Sequence, residues 1–212
     1  MRKIFLVFIL LITGYFTAFA ADFSISGGFV YNIYNQKDAT NTPTTGNADL
    51  KVLAPGGLIN FSIYFSNHFG IYVEEAALFP NRMTVTTATT EISRSFSDLG
   101  IKAWSLYFSP GAAFRFPLKY APITFEATIG PTFGLYLMTS NTYNSSIDFF
   151  YGIAVTPSVS VFFAKFMFLK LGSHFDYHYA CYEESKNTSG FEFVDDFSAY
   201  SIAPFISFGF HW

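Results

Sequence analysis

The chain has 212 residues, of which 51% are hydrophobic and 13% charged. Ordinary globular domains carry about 25% charge, so a conventional water-facing surface is excluded, and 29 Phe, 14 Tyr and 2 Trp exclude intrinsic disorder. The formal net charge is −3, the length suits one domain or at most two, and a single cysteine, Cys181, excludes a disulfide framework or a cysteine-based zinc site.

Residues 1–20 read as a signal peptide. Arg2 and Lys3 give a positive start, 4–12 a short apolar stretch, and Ala18-Phe19-Ala20 a small-residue cleavage site before Ala21. Without the two leading cations the chain holds ten Lys and Arg against fifteen Asp and Glu, net −5, which makes nucleic acid an unsuitable partner. Beyond Ala21 no run of 18 apolar residues occurs, and the richest window, 159–169, is broken by Ser160 and Lys165. A helical membrane bundle is therefore excluded. Residues 21–212 form one unit whose hydrophobicity is not carried by helices.

Period two carries it instead. Phe23, Ile25, Phe29, Tyr31 and Ile33 alternate with Ser24, Ser26, Gly28 and Asn32, and Ile59, Phe61, Ile63 and Phe65 with Asn60, Ser62 and Tyr64. After a turn at 66–68, Phe69, Ile71 and Val73 oppose Gly70, Tyr72 and Glu74. Glu75 then falls on the apolar parity, which predicts a bulge or an early end to that strand. Over 104–116 one parity is wholly apolar, while Ser105, Tyr107, Ser109, Gly111, Ala113 and Arg115 fill the other. The same rhythm runs over 123–137 and 149–163. Leu169, Leu171, Phe175, Tyr177 and Tyr179 then oppose Lys170, Gly172, His174, Asp176 and His178. A last strand sets Tyr200, Ile202, Pro204, Ile206, Phe208, Phe210 and Trp212 against Ser201, Ala203, Ser207, Gly209 and His211. That makes eight strands, each with one oily face. They exceed the five or six residues usual in soluble sheets and suit the roughly 9–11 residues of a tilted membrane strand.

The connections alternate between short ones (66–68, 117–122, 164–165) and long polar ones (34–53, 80–94, 139–147, 181–196). This is the asymmetry expected of outer-membrane barrels. Stretches rich in Asn and Thr at 40–47, 84–90 and 139–146 read as solvated loop. Gly27-Gly28 and Gly56-Gly57 read as places where curvature or close packing needs a missing side chain. Phe23, Trp104, Phe116, Tyr177, Tyr179, Tyr200 and Trp212 fall near strand ends, as interfacial aromatics do.

The polar parity decides which face meets water. A soluble lipid-carrier barrel would need charges on it, but Ser, Thr, Gly and Tyr dominate, and its few ions are Glu74, Arg115, Glu126 and Lys170. These read as an ion-paired filling of a lumen just wide enough for side chains, with a charged constriction that selects solutes as the sharper alternative. His174, Asp176 and His178 form H-x-D-x-H on one strand face. Residues two apart lie about 7 Å from each other, so a polar patch of the upper lumen is favoured over a metal site, and no metal or cofactor is expected. A lipid hydrolase or acyltransferase would need a serine beside His174 and Asp176. No spacing singles one out, so no enzyme is expected.

The chain ends on Trp212, with Phe210, Phe208 and Ile206 at alternate positions before it. This resembles the C-terminal signal of bacterial outer-membrane barrels, which implies barrel-assembly machinery and periplasmic chaperones as partners. More broadly the pattern, clearest over 103–137, resembles the small eight-stranded barrels of the OmpA-transmembrane, OmpX and OmpW type. The expectation is an all-β, eight-stranded antiparallel up-and-down barrel in the bacterial outer membrane, in contact with its lipids, with both termini on the periplasmic side. Its expected role is structural or surface interaction, with a host or environmental ligand at four long extracellular loops. The OmpW resemblance implies an alternative, a narrow channel or portal for small hydrophobic molecules.

Overall fold

A strand that is oily on one face has to find a neighbour on each edge if it lies in lipid, since unpaired N–H and C=O groups are costly there. In the computed structural model every wall strand does so. The structure describes residues 22–42, 46–140, 145–185, 192–194 and 197–212, and the leader read over 1–20 lies outside them. The described residues form eleven strands and no helix: β1 (Asp22–Thr42), β2 (Gly46–Tyr64), β3 (Phe69–Leu78), β4 (Arg82–Thr86), β5 (Glu91–Ser95), β6 (Ile101–Pro117), β7 (Ile123–Ser140), β8 (Ser146–Ala164), β9 (Met167–Ser185), β10 (Glu192–Phe193) and β11 (Ala199–His211). Eight of them close an antiparallel ring in the order β1-β2-β3-β6-β7-β8-β9-β11, with β11 returning to β1.

The register fixes how the ring is staggered. From Phe23 the cross-strand partners run through Ile63, Ile71, Ala112, Ile129, Val155, Phe175 and Ile202 back to Ile33, ten residues further along β1. Such a stagger tilts the strands, and an eight-stranded ring of this kind encloses only enough space for side chains. The faces are the reverse of a soluble protein's. Phe29, Ile71, Phe108, Ile129, Val155, Leu171 and Ile206 are exposed on the wall, while Ser62, Ser109, Thr132, Ser160 and Ser201 are fully buried inside.

Three short turns, 65–68, 118–122 and 165–166, close one end of the barrel. In the first, the Ser66 hydroxyl accepts hydrogen bonds from the amides of His68 (3.3 Å) and Phe69 (3.0 Å). The opposite end is more built than its polar composition suggested. The 34–53 segment is not a loop over most of its length: β1 and β2 stay paired to Thr42 and Gly46. Likewise, 80–94 contains the β4–β5 hairpin, and β4 pairs with residues 49–53 of β2 above the point where β3 has ended. Propensity for turn was overridden by continuing an established ladder.

Two local expectations are also corrected. No bulge or early strand end occurs at Glu75: β3 runs on to Leu78 in unbroken register with both neighbours, and Glu75 stays exposed on the wall between Ile59 and Phe108. In each Gly-Gly pair only one member is forced. A Cβ on Gly28 would lie 2.0 Å from the Ile206 carbonyl oxygen and one on Gly56 2.1 Å from that of Ala77, whereas Gly27 and Gly57 have 3.7 Å of room.

Candidate functional site: the lumen and its long-loop chamber

The lumen is filled in layers, each built by inward residues of facing strands. Nearest the short-turn end, Arg115 of β6 forms an ion pair with Asp22 of β1, donates to the carbonyls of Asn67 (3.1 Å) and Ser66 (3.2 Å), and sits 4.2 Å from the centre of the Tyr64 ring. Arg115 and Glu126 are direct cross-strand neighbours, yet they do not pair. Glu126 instead pairs with Lys170 of β9 and accepts a hydrogen bond from Ser160 (3.1 Å). A cavity of about 300 Å³ lies among Asp22, Tyr64, Arg115 and Glu126.

The middle layer ties opposite walls together. His174 of β9 meets Glu74 of β3 through Nδ1 (2.6 Å) and Asp176 through Nε2 (2.8 Å). Asn60 donates to Glu74 (3.1 Å), Ser201 donates to Asp176 (2.7 Å), and the Thr156 hydroxyl lies 2.7 Å from His174 Nδ1. The imidazole thus bridges two buried carboxylates from opposite walls of the ring. The void beside this cluster is about 20 Å³, about one water. Of the four ions read from the sequence, Glu126 and Lys170 form a pair, while Glu74 and Arg115 take other partners. Asp22 was not foreseen; it stands at the mouth, where alternation carries little signal.

H-x-D-x-H is divided by its surroundings. His174 and Asp176 share the middle network, but the His178 ring is packed against Tyr34, Tyr107 and Phe150, with centroids 5.7–6.4 Å away. The three do not converge, and no group of His, Cys, Asp or Glu among the described residues is arranged to hold a metal. The upper lumen is mixed: Tyr34, Val52, Phe96, Ile101, Phe150, Cys181 and Phe197 form an apolar cluster there, with Asn32, Ser146, Asp148 and Glu183 beside it.

Within that region lies a chamber of about 340 Å³, walled by Tyr34, Met83, Tyr136, Met138 and Phe150 and floored by Asn32 and Tyr107. Its acidic members are Asp148 of β8 and Glu183 of β9, directly paired in register. Strict alternation from His178 turns Glu183 outward. A register shift between the pairs Tyr151–Ala180 and Gly152–His178 inserts one residue into β9 and turns Cys181 and Glu183 inward. No residue in the sequence marks that bulge.

On the outside, the β3–β6 ladder ends at Leu78 and Ser105, while β6 runs on to Ile101 paired, among the described strands, with β7 alone. Just below, a wall crevice of about 670 Å³ is lined by Gly57, Glu75, Ala77, Leu106 and Phe108. Ile206, Phe208, Phe210 and Trp212 all lie exposed at the end of β11 and just beyond it. Trp212 exchanges backbone hydrogen bonds of 2.9 and 3.0 Å with Phe23, and the two rings are 4.7 Å apart.

No family model matches the chain, and no curated protein matches it. Solved structures do. OprG from Pseudomonas aeruginosa is 12% identical with a TM-score of 0.62, over 91% of this chain and 96% of that one. AlkL in lipid bilayers is 13% identical at 0.53, over 91% and 90%. Ail, the attachment invasion locus protein of Yersinia pestis, solved with the heparin analogue sucrose octasulfate, is 16% identical at 0.51, over 91% and 99%. The chain therefore has the all-β fold of the small outer-membrane barrels, closed from eight antiparallel strands.

Proposed function

We propose that this is an exported integral barrel of the bacterial outer membrane, acting by surface interaction at its long-loop end and not as a through-channel. The observation that carries the reading is the filling of the lumen. Arg115–Asp22, Lys170–Glu126 and Glu74–His174–Asp176 succeed one another along it, with only about 20 Å³ of void beside the last. Structure is added at the other end, in the β4–β5 hairpin and the prolonged β1–β2 and β8–β9 ladders. The leader at 1–20, lipids around the oily wall, and assembly through Ile206, Phe208, Phe210 and Trp212 by the barrel machinery and its chaperones belong to the same reading. The likeness to Ail, named for attachment, supports the loops as the contact surface for a host or environmental ligand.

No catalytic role is proposed. Thr156, His174 and Asp176 have the order of a hydroxyl–imidazole–carboxylate triad, but Glu74 shares the same Nδ1 and the void admits no substrate. A second reading, passage of small hydrophobic molecules, is favoured by the aromatic chamber and by the wall crevice that shares Tyr107 with it. Planar-bilayer recording together with uptake of small hydrophobic solutes by the purified protein in vesicles separates the readings, using the whole barrel and a form with residues 82–95 replaced by a short glycine-serine turn. No discrete conductance and no uptake is expected from either, while adhesion of displaying cells to immobilised matrix proteins and glycans falls in the shortened form. Discrete conductance or uptake that survives the replacement overturns the surface-interaction reading.

A further inference from the structure

The chamber at the long-loop end combines an apolar wall with acidic side chains. Its walls are aromatic and apolar: Tyr34, Tyr136, Met138 and Phe150. At about 340 Å³ it falls at the small end of the range of ligand pockets. Its charged lining is of one sign. Asp148 lies next to Tyr136 on one side and Glu183 on the other in the β7–β8–β9 register, and among the described residues no Lys or Arg contributes to the lining. Elsewhere in the lumen the described acids have basic partners: Asp22 has Arg115, Glu126 has Lys170, and Glu74 and Asp176 share His174. Here one carboxylate oxygen of Asp148 is buried without a hydrogen-bond partner.

We propose that this chamber binds a small hydrophobic organic cation, resting on the reading that the chamber admits small hydrophobic molecules. The ammonium sits by Asp148 and Glu183, and the apolar body lies against the aromatic wall. The carboxylates supply charge complementarity that no neutral ligand uses. The faces of Tyr34, Tyr136 and Phe150 add attraction for a cation desolvated between them. A quaternary ammonium bearing one aromatic ring meets these requirements in a space of this size.

The test uses the whole barrel refolded in a maltoside detergent, whose head group carries no choline to compete. Methionine methyls are labelled with carbon-13, because Met83 and Met138 line the chamber while Met167 lies at the opposite end. Benzyltrimethylammonium is titrated in parallel with its neutral isostere, neopentylbenzene. The expected result is a saturable shift of Met83 and Met138 but not of Met167, with at least tenfold tighter binding of the cation. Affinity for the cation falls at least tenfold in Asp148→Asn, falls also in Glu183→Gln at the exposed rim, and weakens with added salt. Equal affinity for the two probes overturns the cation proposal and leaves the hydrophobic-chamber reading standing. No saturable shift with either probe overturns both. Should Asp148→Asn misfold, unchanged cation affinity in Glu183→Gln together with salt independence overturns the proposal.

Discussion

Lys170 shows how a single residue ties the wall to the lumen. Its ammonium is 3% exposed as a residue and paired to Glu126, which in turn holds the Ser160 hydroxyl. Removing one partner of such a pair leaves the other buried and uncompensated, at a cost of about 3–5 kcal/mol, whereas replacing both by apolar groups of similar volume is often neutral. Lys170→Met is therefore expected to lower barrel stability by about 3–5 kcal/mol, and Lys170→Met with Glu126→Leu to recover most of it. Urea unfolding in lipid vesicles, followed by tryptophan fluorescence, measures both. A double variant no more stable than the single one removes the pairing argument. His178 marks the opposite limit, a wholly buried imidazole whose two ring nitrogens find no partner in its aromatic surroundings.

At the scale of the element, the β6–β7 pair shows how a ladder passes a pair of prolines. Pro110 and Pro131 interrupt the ladder between Phe108–Phe133 and Ala112–Ile129, and beside them Gly111 and Gly130 lie backbone against backbone. A Cβ on Gly130 would lie 1.9 Å from the Pro110 carbonyl oxygen, while one on Gly27 has 3.7 Å of room. Gly130→Ala is expected to cost about 1–3 kcal/mol or more through overpacking, and Gly27→Ala less than about 0.5 kcal/mol; their unfolding midpoints are compared in the same vesicles. Equal midpoints would show that the two ladders part freely at the prolines. The elements themselves were largely legible, because burial on alternate faces writes its period into 104–116, 123–137 and 149–163. Their extents were not: the sequence is almost wholly polar over 35–47, so alternation vanishes there while the β1–β2 pairing continues. The β9 bulge was invisible for a different reason, since Tyr179 and Ala180 fit either parity. That one inserted residue decides whether Glu183 faces outward or the chamber.

Across the whole molecule, the ion pairs work as cross-lumen ties: β6 to β1 through Arg115, β9 to β7 through Lys170, and β9 to the opposite wall at β3 through His174. That the lumen holds paired charge followed from sequence parity. Which ion meets which did not, because partners are chosen by the tilt and ten-residue stagger of the closed ring. This arrangement makes stability and permeation separable. Arg115 is the tie nearest water, and the Asp22 side chain it meets is 45% exposed, so solvent screening leaves the pair worth only about 1 kcal/mol. Its hydrogen bonds to the Asn67 and Ser66 carbonyls and its position over Tyr64 bring the expected loss in Arg115→Ala to about 2 kcal/mol. Permeation is not expected to follow, because Lys170–Glu126, Phe168 and the His174 network fill the lumen beyond the cavity that Arg115 lines. The two quantities are read on one preparation, as a urea midpoint in vesicles and as single-channel current in a planar bilayer. A lower midpoint with no new current is expected; a large conductance with an unchanged midpoint would make Arg115 a gate and the lumen a channel.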